Sequence, residues 1–556
     1  MMRSALLCLV LAALVTAPAR ADDALTPQRL DELEGRFQAV ARECRPYSVA
    51  VLGLVGMGSG VVIDRSGLVL TNAHVAVAAR WCAVVFPDGR RLLGRRLGIY
   101  FPRDLALIQL PEGDYPAAPL APADSVESGD WVLAYGHPGG LKPDRLPTFS
   151  AGRVTGRASG VQVMGLLDYD GGVETDLSIY SGNSGGPLFD LQGRLVGING
   201  AVNPALGESY SLSMDIIEDA LPKLRDGKIH LGPDLSIDPA ARELAAIFEA
   251  YDGFSKKVAE NWIEAGWPGE HMPDGDEKKT DLEEWAGRLL DRIDSARQKI
   301  EESPIWRGSH GEERQQLLTA SFAGAFESSA GRAVQIVGED GDAICLGTIV
   351  SGGFVVTKAS LVGDQDVAAV TPGGTKLELA LDSTHLRHDL ALFRASGATL
   401  PDGAADAPEI EVGSWVLVPG AARGGLAAGV LSAKARPIPA TAETLVPEAI
   451  QRATIFALVR LLRSAPREMG LGALADQLES SDRRDRIFEL HNVPRTYPHV
   501  LQHDAPLDVD QMGGPLLDGE GRLVGVNVGR AHHGTVYTVS IDTIRQEFAG
   551  ALEGGR

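Results

Sequence analysis

The sequence predicts a mainly β protein with helical insertions, in which a helical connector joins two copies of one domain. Short segments rich in β-branched residues and separated by turn residues predict many strands, which favours an antiparallel barrel or sandwich. Between the copies the apolar residues change to helical spacing. Four motifs occur twice in the same order, and this repetition predicts the two copies.

The repeated motifs set the domain boundaries. They are DLAL at 104–107 and 389–392, GDWVL at 129–133 and GSWVL at 413–417, GGPL at 185–188 and 513–516, and GRLVGIN at 193–199 and GRLVGVN at 521–527. We therefore predict one domain at 44–224 and a second at 330–550, with a connector at 225–329. A helical or extended segment at 22–43 precedes the first domain.

The individual elements follow from local patterns. Apolar residues at helical spacing predict connector helices over 239–265 and 282–300, with an exposed polar loop at 268–279. A further helical insertion is predicted near 440–490, inside the second copy. Packing is the favoured role of these helices, and partner binding is the alternative. The predicted strands of the first copy are 49–54, 60–63, 68–71, 83–86, 105–110, 131–135 and 195–199.

The N-terminus has the features of a secretory signal peptide. Arg3 precedes an apolar run of 11 residues, Ala5 to Val15, which is shorter than the roughly 20 residues of a spanning helix. Small residues at Ala19 and Ala21 predict cleavage after Ala21. Residues 1–21 are therefore predicted to be removed, and the protein to be exported to the periplasm or secreted. An uncleaved anchor is the alternative.

Composition excludes several classes of function. With 44% hydrophobic and 23% charged residues, the chain is typical of soluble globular proteins, and no other stretch predicts stable membrane insertion. A net charge of −22 repels phosphate backbones, so nucleic acid is not an expected partner. No Cys/His spacing typical of zinc, phosphate loop or dinucleotide fingerprint occurs, so we predict no metal and no cofactor.

Three motifs of the first copy predict nucleophilic catalysis. TNAHV places His74, DLAL places Asp104 and GNSGG places Ser184, at intervals of 30 and 80 residues. A serine hydroxyl needs an adjacent base, which His74 supplies near neutral pH, while a carboxylate fixes the imidazole tautomer. The glycines allow a tight loop in which the N–H groups of Gly182 and Ser184 form an oxyanion hole.

These motifs resemble the trypsin-like (chymotrypsin-clan) serine proteases, most closely the HtrA/Deg family. The resemblance implies that each copy is a trypsin-like double β-barrel and that the protein is a serine endopeptidase acting on unfolded or damaged polypeptides. No evident PDZ domain follows the protease domain, although HtrA/Deg proteins usually carry one. A non-catalytic chaperone-like or scaffold protein is the alternative, and a homo-oligomer is left open.

The resemblance also suggests a substrate pocket. In this family the residues six and five before the nucleophile line the primary pocket, and these are Ser178 and Ile179. Neither is acidic, which disfavours Lys or Arg at the cleaved bond and favours small or medium aliphatic residues. Asp176 is the nearest carboxylate, and the resemblance implies a structural role for it.

The second copy departs from the catalytic pattern. Ser360 stands where His74 does, and Met512 stands where Ser184 does, while Asp389 keeps the position of Asp104. Met512 offers no nucleophilic oxygen, so we predict a degenerate, pseudoprotease domain.

Three cysteines remain after removal of the signal peptide, which carries Cys8. In an oxidising compartment a disulfide between Cys44 and Cys82 is predicted, with free buried thiols as the alternative.

Overall fold

The computed structural model covers both predicted domains. The predicted signal peptide, most of the predicted connector and the predicted insertion near 440–490 lie outside the residues that it describes. The described residues are 25–53, 57–76, 80–163, 167–180, 182–203, 208–230, 256, 259–260, 263, 309–351, 353–363, 365–397, 408–420, 425–439, 496–532 and 535–553.

The first copy begins with a six-stranded barrel. Its strands pair antiparallel in the order β5-β4-β1-β2-β3-β6, and β5 closes the ring by pairing with β6. A short strand, β15 (Ile229–His230), adds parallel to β5. The barrel strands are β1 (Ser48–Leu52), β2 (Met57–Asp64), β3 (Leu68–Asn72), β4 (Trp81–Val85), β5 (Arg91–Tyr100) and β6 (Leu105–Gln109), with helix α2 (Ala73–Ala76) after β3.

A second closed barrel completes the first copy, with the strand order β11-β14-β13-β12-β7-β8. A small hairpin, β9 (Gln162–Val163) with β10 (Leu167–Asp168), extends from it, and helix α3 (Met214–Arg225) follows its last strand. The barrel strands are β7 (Trp131–Gly136), β8 (Thr148–Arg157), β11 (Val173–Thr175), β12 (Pro187–Asp190), β13 (Leu195–Asn203) and β14 (Glu208–Ser213).

The second copy repeats this arrangement with two closed barrels, ordered β16-β17-β18-β21-β20-β19 and β22-β23-β24-β27-β26-β25. Equivalent positions have equivalent partners: Tyr100 pairs with Leu105, as His385 pairs with Leu390. The strands are β16 (Ala333–Val337), β17 (Ala343–Ser351), β18 (Phe354–Lys358), β19 (Ala368–Val370), β20 (Lys376–His385), β21 (Leu390–Ser396), β22 (Trp415–Pro419), β23 (Leu426–Pro439), β24 (Thr496–His503), β25 (Pro515–Asp518), β26 (Leu523–His532) and β27 (Thr535–Ser540).

These barrels confirm the predicted fold class of a mainly β chain with two trypsin-like barrel domains. The remaining helices of the described residues are α1 (Pro27–Cys44), α4 (Ser309–Ser321), α5 (Ala323–Ser329), α6 (Ala359–Val362), α7 (Ile541–Glu547) and α8 (Ala549–Glu553). Within this part of the chain, no helix combines the length and the apolar composition that crossing a bilayer requires.

Helix α1 lies between the two copies. It begins with Pro27 after the N-cap Thr26, whose side chain accepts a hydrogen bond from the Arg29 N–H. Its Phe37 ring contacts Trp131 and Trp415, with centroid separations of 5.4 and 5.2 Å, and the two tryptophans lie 5.8 Å apart. These tryptophans are the equivalent residues of the repeated GDWVL and GSWVL motifs. The helix therefore unites the two copies in one core.

A buried polar cluster also joins the copies, next to β8 and β23. Arg314 of α4 donates to the Ala151 carbonyl at 2.6 Å, and its Nη1 lies 3.5 Å from Oδ1 of Asp176. The Asp504 carboxylate accepts from the Val430 N–H at 2.6 Å. Burial raises the pKa of Asp504 to about 6, and the charge of Arg314 opposes this increase. Arg314 thus compensates carboxylates from both copies.

We expect Arg314→Met to destabilise the protein by about 3–5 kcal/mol, because it leaves buried carboxylates without their cation. The free energy of unfolding from denaturant titration at pH 7.5 measures this loss. Arg65→Met is the matched control, since the Arg65–Asp114 ion pair is exposed on both sides and its loss should change little. Equal stability of the two variants would contradict the role given to Arg314.

Candidate active site

His74 and Asp104 lie at the ends of paired strands in the first barrel. Asn72, the last residue of β3, pairs with Leu105, the first residue of β6. His74 lies just after the end of β3 and Asp104 just before the start of β6, so this pairing brings the two residues together. The Asp104 carboxylate accepts from the His74 backbone N–H at 3.0 Å through Oδ1 and from His74 Nδ1 at 2.8 Å through Oδ2. The carboxylate therefore fixes the main chain and the ring of His74 together.

The backbone of Asp104 is itself constrained. Its φ is 47°, in the left-handed region that a residue other than glycine rarely adopts. Its carbonyl accepts from the Ala73 N–H and from Asn72 Nδ2, both at 2.9 Å. Asp389 has a φ of 56°, and its carbonyl accepts from the Ala359 N–H at 2.9 Å, so this turn is common to both copies.

The side chains of His74 and Asp104 differ in their exposure to solvent. Asp104 is fully buried, whereas 42% of the His74 side chain is exposed. Desolvation lowers the pKa of His74, but the charge of Asp104 and its hydrogen bond outweigh this effect and leave the pKa raised above its ordinary value. The ring can therefore accept a proton on the edge that faces away from Asp104.

Ser184 comes from the second barrel, in the turn before β12. Its carbonyl accepts from the Ser59 N–H at 2.8 Å, which ties this turn to the first barrel. Its hydroxyl donates to the Gly200 carbonyl at 3.4 Å, and within the described part of the chain no hydrogen bond joins it to His74. The structure thus forms the Asp104–His74 pair and leaves the Ser184–His74 bond unmade, which is common in enzymes without substrate.

The turn around Ser184 has two unused backbone donors. Asn183, Gly185 and Gly186 each donate their N–H to a carbonyl, at 2.8–2.9 Å. Among the described residues, the N–H groups of Gly182 and Ser184 donate to none. Gly182 has a φ of 99°, and a Cβ there would lie 2.2 Å from the His137 carbonyl oxygen, so only glycine fits. Two free donors side by side are what an oxyanion needs.

The equivalent turn of the second copy is closed. It forms a 3₁₀ turn, Val509–Gln511, that Asp508 caps. The Met512 N–H, at the position of Ser184, donates to the Val509 carbonyl at 3.1 Å, and the Met512 side chain is 1% exposed.

The histidine position of the second copy is also rebuilt. Ser360 donates to Asp389 through its N–H and its hydroxyl, both at 2.8 Å. Lys358, at the position of Asn72, is buried and forms an ion pair with Asp389 Oδ2. An ion pair therefore occupies the site that holds the Asp–His pair in the first copy.

The sequence matches a family model described as the trypsin-like peptidase domain, over residues 58–198 and 345–526. These two regions make up more than half of the chain. The chain belongs to the trypsin-like peptidase family.

Related proteins of this family align with about a third of the chain. A putative serine protease, HhoA, from Synechocystis sp. is 36% identical over 201 residues, which are 35% of this chain and 48% of that protein. A probable periplasmic serine endoprotease, DegP-like, from Halomonas elongata is 33% identical over 198 residues, 34% of this chain and 40% of that protein. The chain therefore spans half or less of the length of these relatives.

Among solved structures, the HtrA-type protease AlgW with a tripeptide matches at 28% identity. The match covers 34% of this chain and 64% of the AlgW chain, with a TM-score of 0.30.

Two side chains that sequence reasoning missed support this trypsin-like site. The Tyr169 hydroxyl donates to Asp104 Oδ2 at 2.6 Å, and the Ser59 hydroxyl donates to the Gly182 carbonyl at 2.7 Å. Tyr169 follows the β9–β10 hairpin, 65 residues after Asp104, in no motif. Ser59 lies within the GSG segment of β2, but nothing in its spacing indicates a contact with the loop of Ser184.

We expect Tyr169→Phe to lower kcat by about 10- to 100-fold, since a hydrogen bond to a charged group contributes about 1.5–3 kcal/mol. KM should change little, because Tyr169 is buried behind Asp104. Tyr497→Phe is the matched control: Tyr497 occupies the equivalent place, but its hydroxyl donates to the Val528 carbonyl at 2.9 Å. Steady-state kinetics on a peptide substrate would measure both, and an equal loss in Tyr497→Phe would contradict a specific role for Tyr169.

The predicted pocket residues differ in burial. Ser178 is half-buried, whereas Ile179 is 4% exposed and packs in the core of the second barrel with Val126, Leu177 and Leu188. Ile179 therefore packs within the second barrel, and the roles of Ser178 and Ile179 in a substrate pocket stay predictions. Asp176 accepts from the Arg153 N–H at 2.7 Å and lies beside Arg314, which is a structural environment.

The predicted disulfide is wrong in this structure, where Cys44, Cys82 and Cys345 are free and buried. Cys44 ends helix α1 and lies 3.5 Å from the Gly193 carbonyl, in the core that the two copies share, whereas Cys82 points into the first barrel. Burial raises the pKa of both thiols to about 12. Such inert thiols behave as small apolar side chains.

Proposed function

We propose that this chain is a serine endopeptidase whose catalytic centre is the first copy, with His74, Asp104 and Ser184 as the triad. One observation carries the proposal: a buried carboxylate holds both the N–H and the Nδ1 of His74, beside a turn with two free N–H donors. In the second copy, which has the same fold, the carboxylate of Asp389 holds the N–H of Ser360 but, among the described residues, no imidazole, and the Met512 N–H is already bonded.

The geometry suggests how peptide hydrolysis proceeds. Ser184 exchanges its Gly200 partner for His74 Nε2, which takes the hydroxyl proton as the oxygen attacks the substrate carbonyl carbon. The N–H groups of Gly182 and Ser184 stabilise the resulting oxyanion. His74 then gives the proton to the departing amine, leaving an acyl-enzyme. A water molecule, deprotonated by the same ring, hydrolyses the ester and restores Ser184.

The substrate is proposed to be unfolded or damaged polypeptide, cut after small or medium aliphatic residues. Asp176 is the carboxylate closest in sequence to the predicted pocket residues. It already accepts from the Arg153 N–H and lies beside Arg314, so it does not offer an uncompensated charge to a Lys or Arg side chain of the substrate. The DegP-like relative is named periplasmic, which agrees with the predicted signal peptide and supports export as part of the proposal.

The second copy is proposed to be a pseudoprotease domain that supports the first. Helix α1 and Arg314 join it to the catalytic copy, and its Lys358–Asp389 ion pair and its closed 509–511 turn replace the catalytic groups.

Labelling with a fluorophosphonate probe tests the catalytic proposal. We expect covalent modification of one serine, identified by peptide mass spectrometry as Ser184, with casein digestion in parallel. Absence of labelling across pH 6–9 would favour the alternative, a non-catalytic scaffold of trypsin-like barrels.

The pH profile provides a separate prediction. His74 must be neutral to act as a base, and Asp104 raises its pKa. Activity should therefore fall as pH decreases through a midpoint above the ordinary histidine value of about 6.5. Values of kcat/KM from initial rates between pH 5 and 9 would give this midpoint. A midpoint below pH 6 would contradict the assignment of His74 as the base.

A further inference from the structure

Two imidazoles and a carboxylate converge at one corner of the second copy, away from the proposed catalytic residues. His385 ends β20, His388 lies in the following turn, and Glu547 is the last residue of α7. Their potential ligand atoms all lie within 4.8 Å of one another. The side chain of His388 is 5% exposed, whereas His385 and Glu547 are 26% and 31% exposed, which leaves an opening to solvent.

The distances fit a single ion. The Nδ1 atoms of His385 and His388 are 3.1 Å apart. Two nitrogens at this separation, each roughly 2.0–2.1 Å from a cation, subtend an angle of about 100° at it, close to tetrahedral. Glu547 Oε1 lies 3.8 Å from His388 Nδ1, close enough to supply the third ligand, whereas Oε2 lies 2.9 Å from the other ring nitrogen of His385, Nε2.

The chemistry of the set favours Zn²⁺ over the cations that prefer oxygen ligands. Two imidazoles with one carboxylate are typical ligands of Zn²⁺, with water in the fourth position, and are too nitrogen-rich for Mg²⁺ or Ca²⁺.

The first copy lacks this set at equivalent positions. Tyr100 replaces His385, Arg103 replaces His388, and Ala220, the seventh residue of α3, replaces Glu547, the seventh residue of α7. There Arg103 donates to the carbonyls of Asp168 and Asp170. The three ligands are therefore a property of the degenerate copy and not of the fold.

We propose that His385, His388 and Glu547 bind one Zn²⁺, which fastens the turn before Asp389 to helix α7. The turn is short: the His388 N–H donates to the His385 carbonyl at 3.1 Å, which places both rings on one side. A bound ion would join β20 to the helix that packs on β26, and so link the two barrels of the second copy.

Zinc titration of the full chain tests the site. The protein would be free of any polyhistidine tag and would carry Ser184→Ala to prevent self-digestion. Isothermal titration with Zn²⁺ should show one site per chain, and the Tm should rise with zinc concentration. Co²⁺ in place of Zn²⁺ should give the visible absorption of a four-coordinate site.

Variants separate this site from other histidines. Glu547→Gln keeps the shape of a partly exposed side chain and should weaken binding, and His388→Ala should abolish the one-to-one stoichiometry and the Co²⁺ spectrum. His230→Ala is the matched control, because His230 pairs with Asp226 at 2.9 Å in a similar His–carboxylate pair of the first copy. Circular dichroism confirms folding of each variant. Unchanged zinc affinity in Glu547→Gln, unchanged zinc stoichiometry in His388→Ala, or no zinc binding by the protein with all three residues intact would overturn the proposal.

Discussion

Ser184→Ala should remove peptidase activity, with kcat falling by about 10⁵–10⁶-fold, while the Tm stays unchanged. The variant loses the hydroxyl that acts as the proposed nucleophile. The hydroxyl makes one long contact, 3.4 Å to the Gly200 carbonyl, so its removal costs little stability. Casein digestion and fluorophosphonate labelling would both report the loss, and calorimetry would report the Tm.

Met512→Ser is the matched control for this variant and should not create activity. The Met512 N–H already donates to the Val509 carbonyl, so it is not available to an oxyanion there. Even with Ser360→His in addition, the Lys358–Asp389 ion pair competes for the carboxylate that would orient the new ring. Substantial proteolysis by Ser184→Ala, with contaminating protease excluded, would show that the catalytic centre lies elsewhere.

Much of the fold could be predicted because strands and repeats are local signals. Predicted strands such as 68–71 and 131–135 agree within about a residue with β3 and β7. The motifs also predicted His74 and Asp104 as partners. The two residues lie together because Asp104 directly precedes β6, the strand that pairs with β3.

Contacts between distant segments could not be predicted in this way. Tyr169 and Ser59 act through partners 65 and 123 residues away, and no periodic pattern encodes such contacts. The predicted disulfide failed for the same reason: Cys44 and Cys82 are 38 residues apart in sequence but belong to different cores. The sequence shows that Lys358 of the second copy stands at the position of Asn72 in the first. That this lysine forms a buried ion pair becomes clear only from the structure, which places it beside Asp389.

The two equivalent aspartates provide a comparison within one chain. Asp104 accepts from the His74 N–H, from His74 Nδ1 and from the Tyr169 hydroxyl. Asp389 occupies the same turn, with the same left-handed backbone, but its partners are Ser360 and Lys358. Replacing the aspartate by asparagine should therefore lower activity in the first copy and stability in the second.

Asp104→Asn should lower kcat by about 10⁴-fold, because an amide NH₂ replaces one acceptor oxygen and disfavours the His74 tautomer that presents its free nitrogen to Ser184. Asp389→Asn should leave the activity of the folded protein unchanged but should lower its stability by about 3–5 kcal/mol, because Lys358, 1% exposed, loses its counter-charge. Steady-state kinetics with active-site titration, and denaturant unfolding of both variants, would measure the two effects. An activity loss in Asp389→Asn as large as that in Asp104→Asn would contradict the assignment of catalysis to the first copy alone.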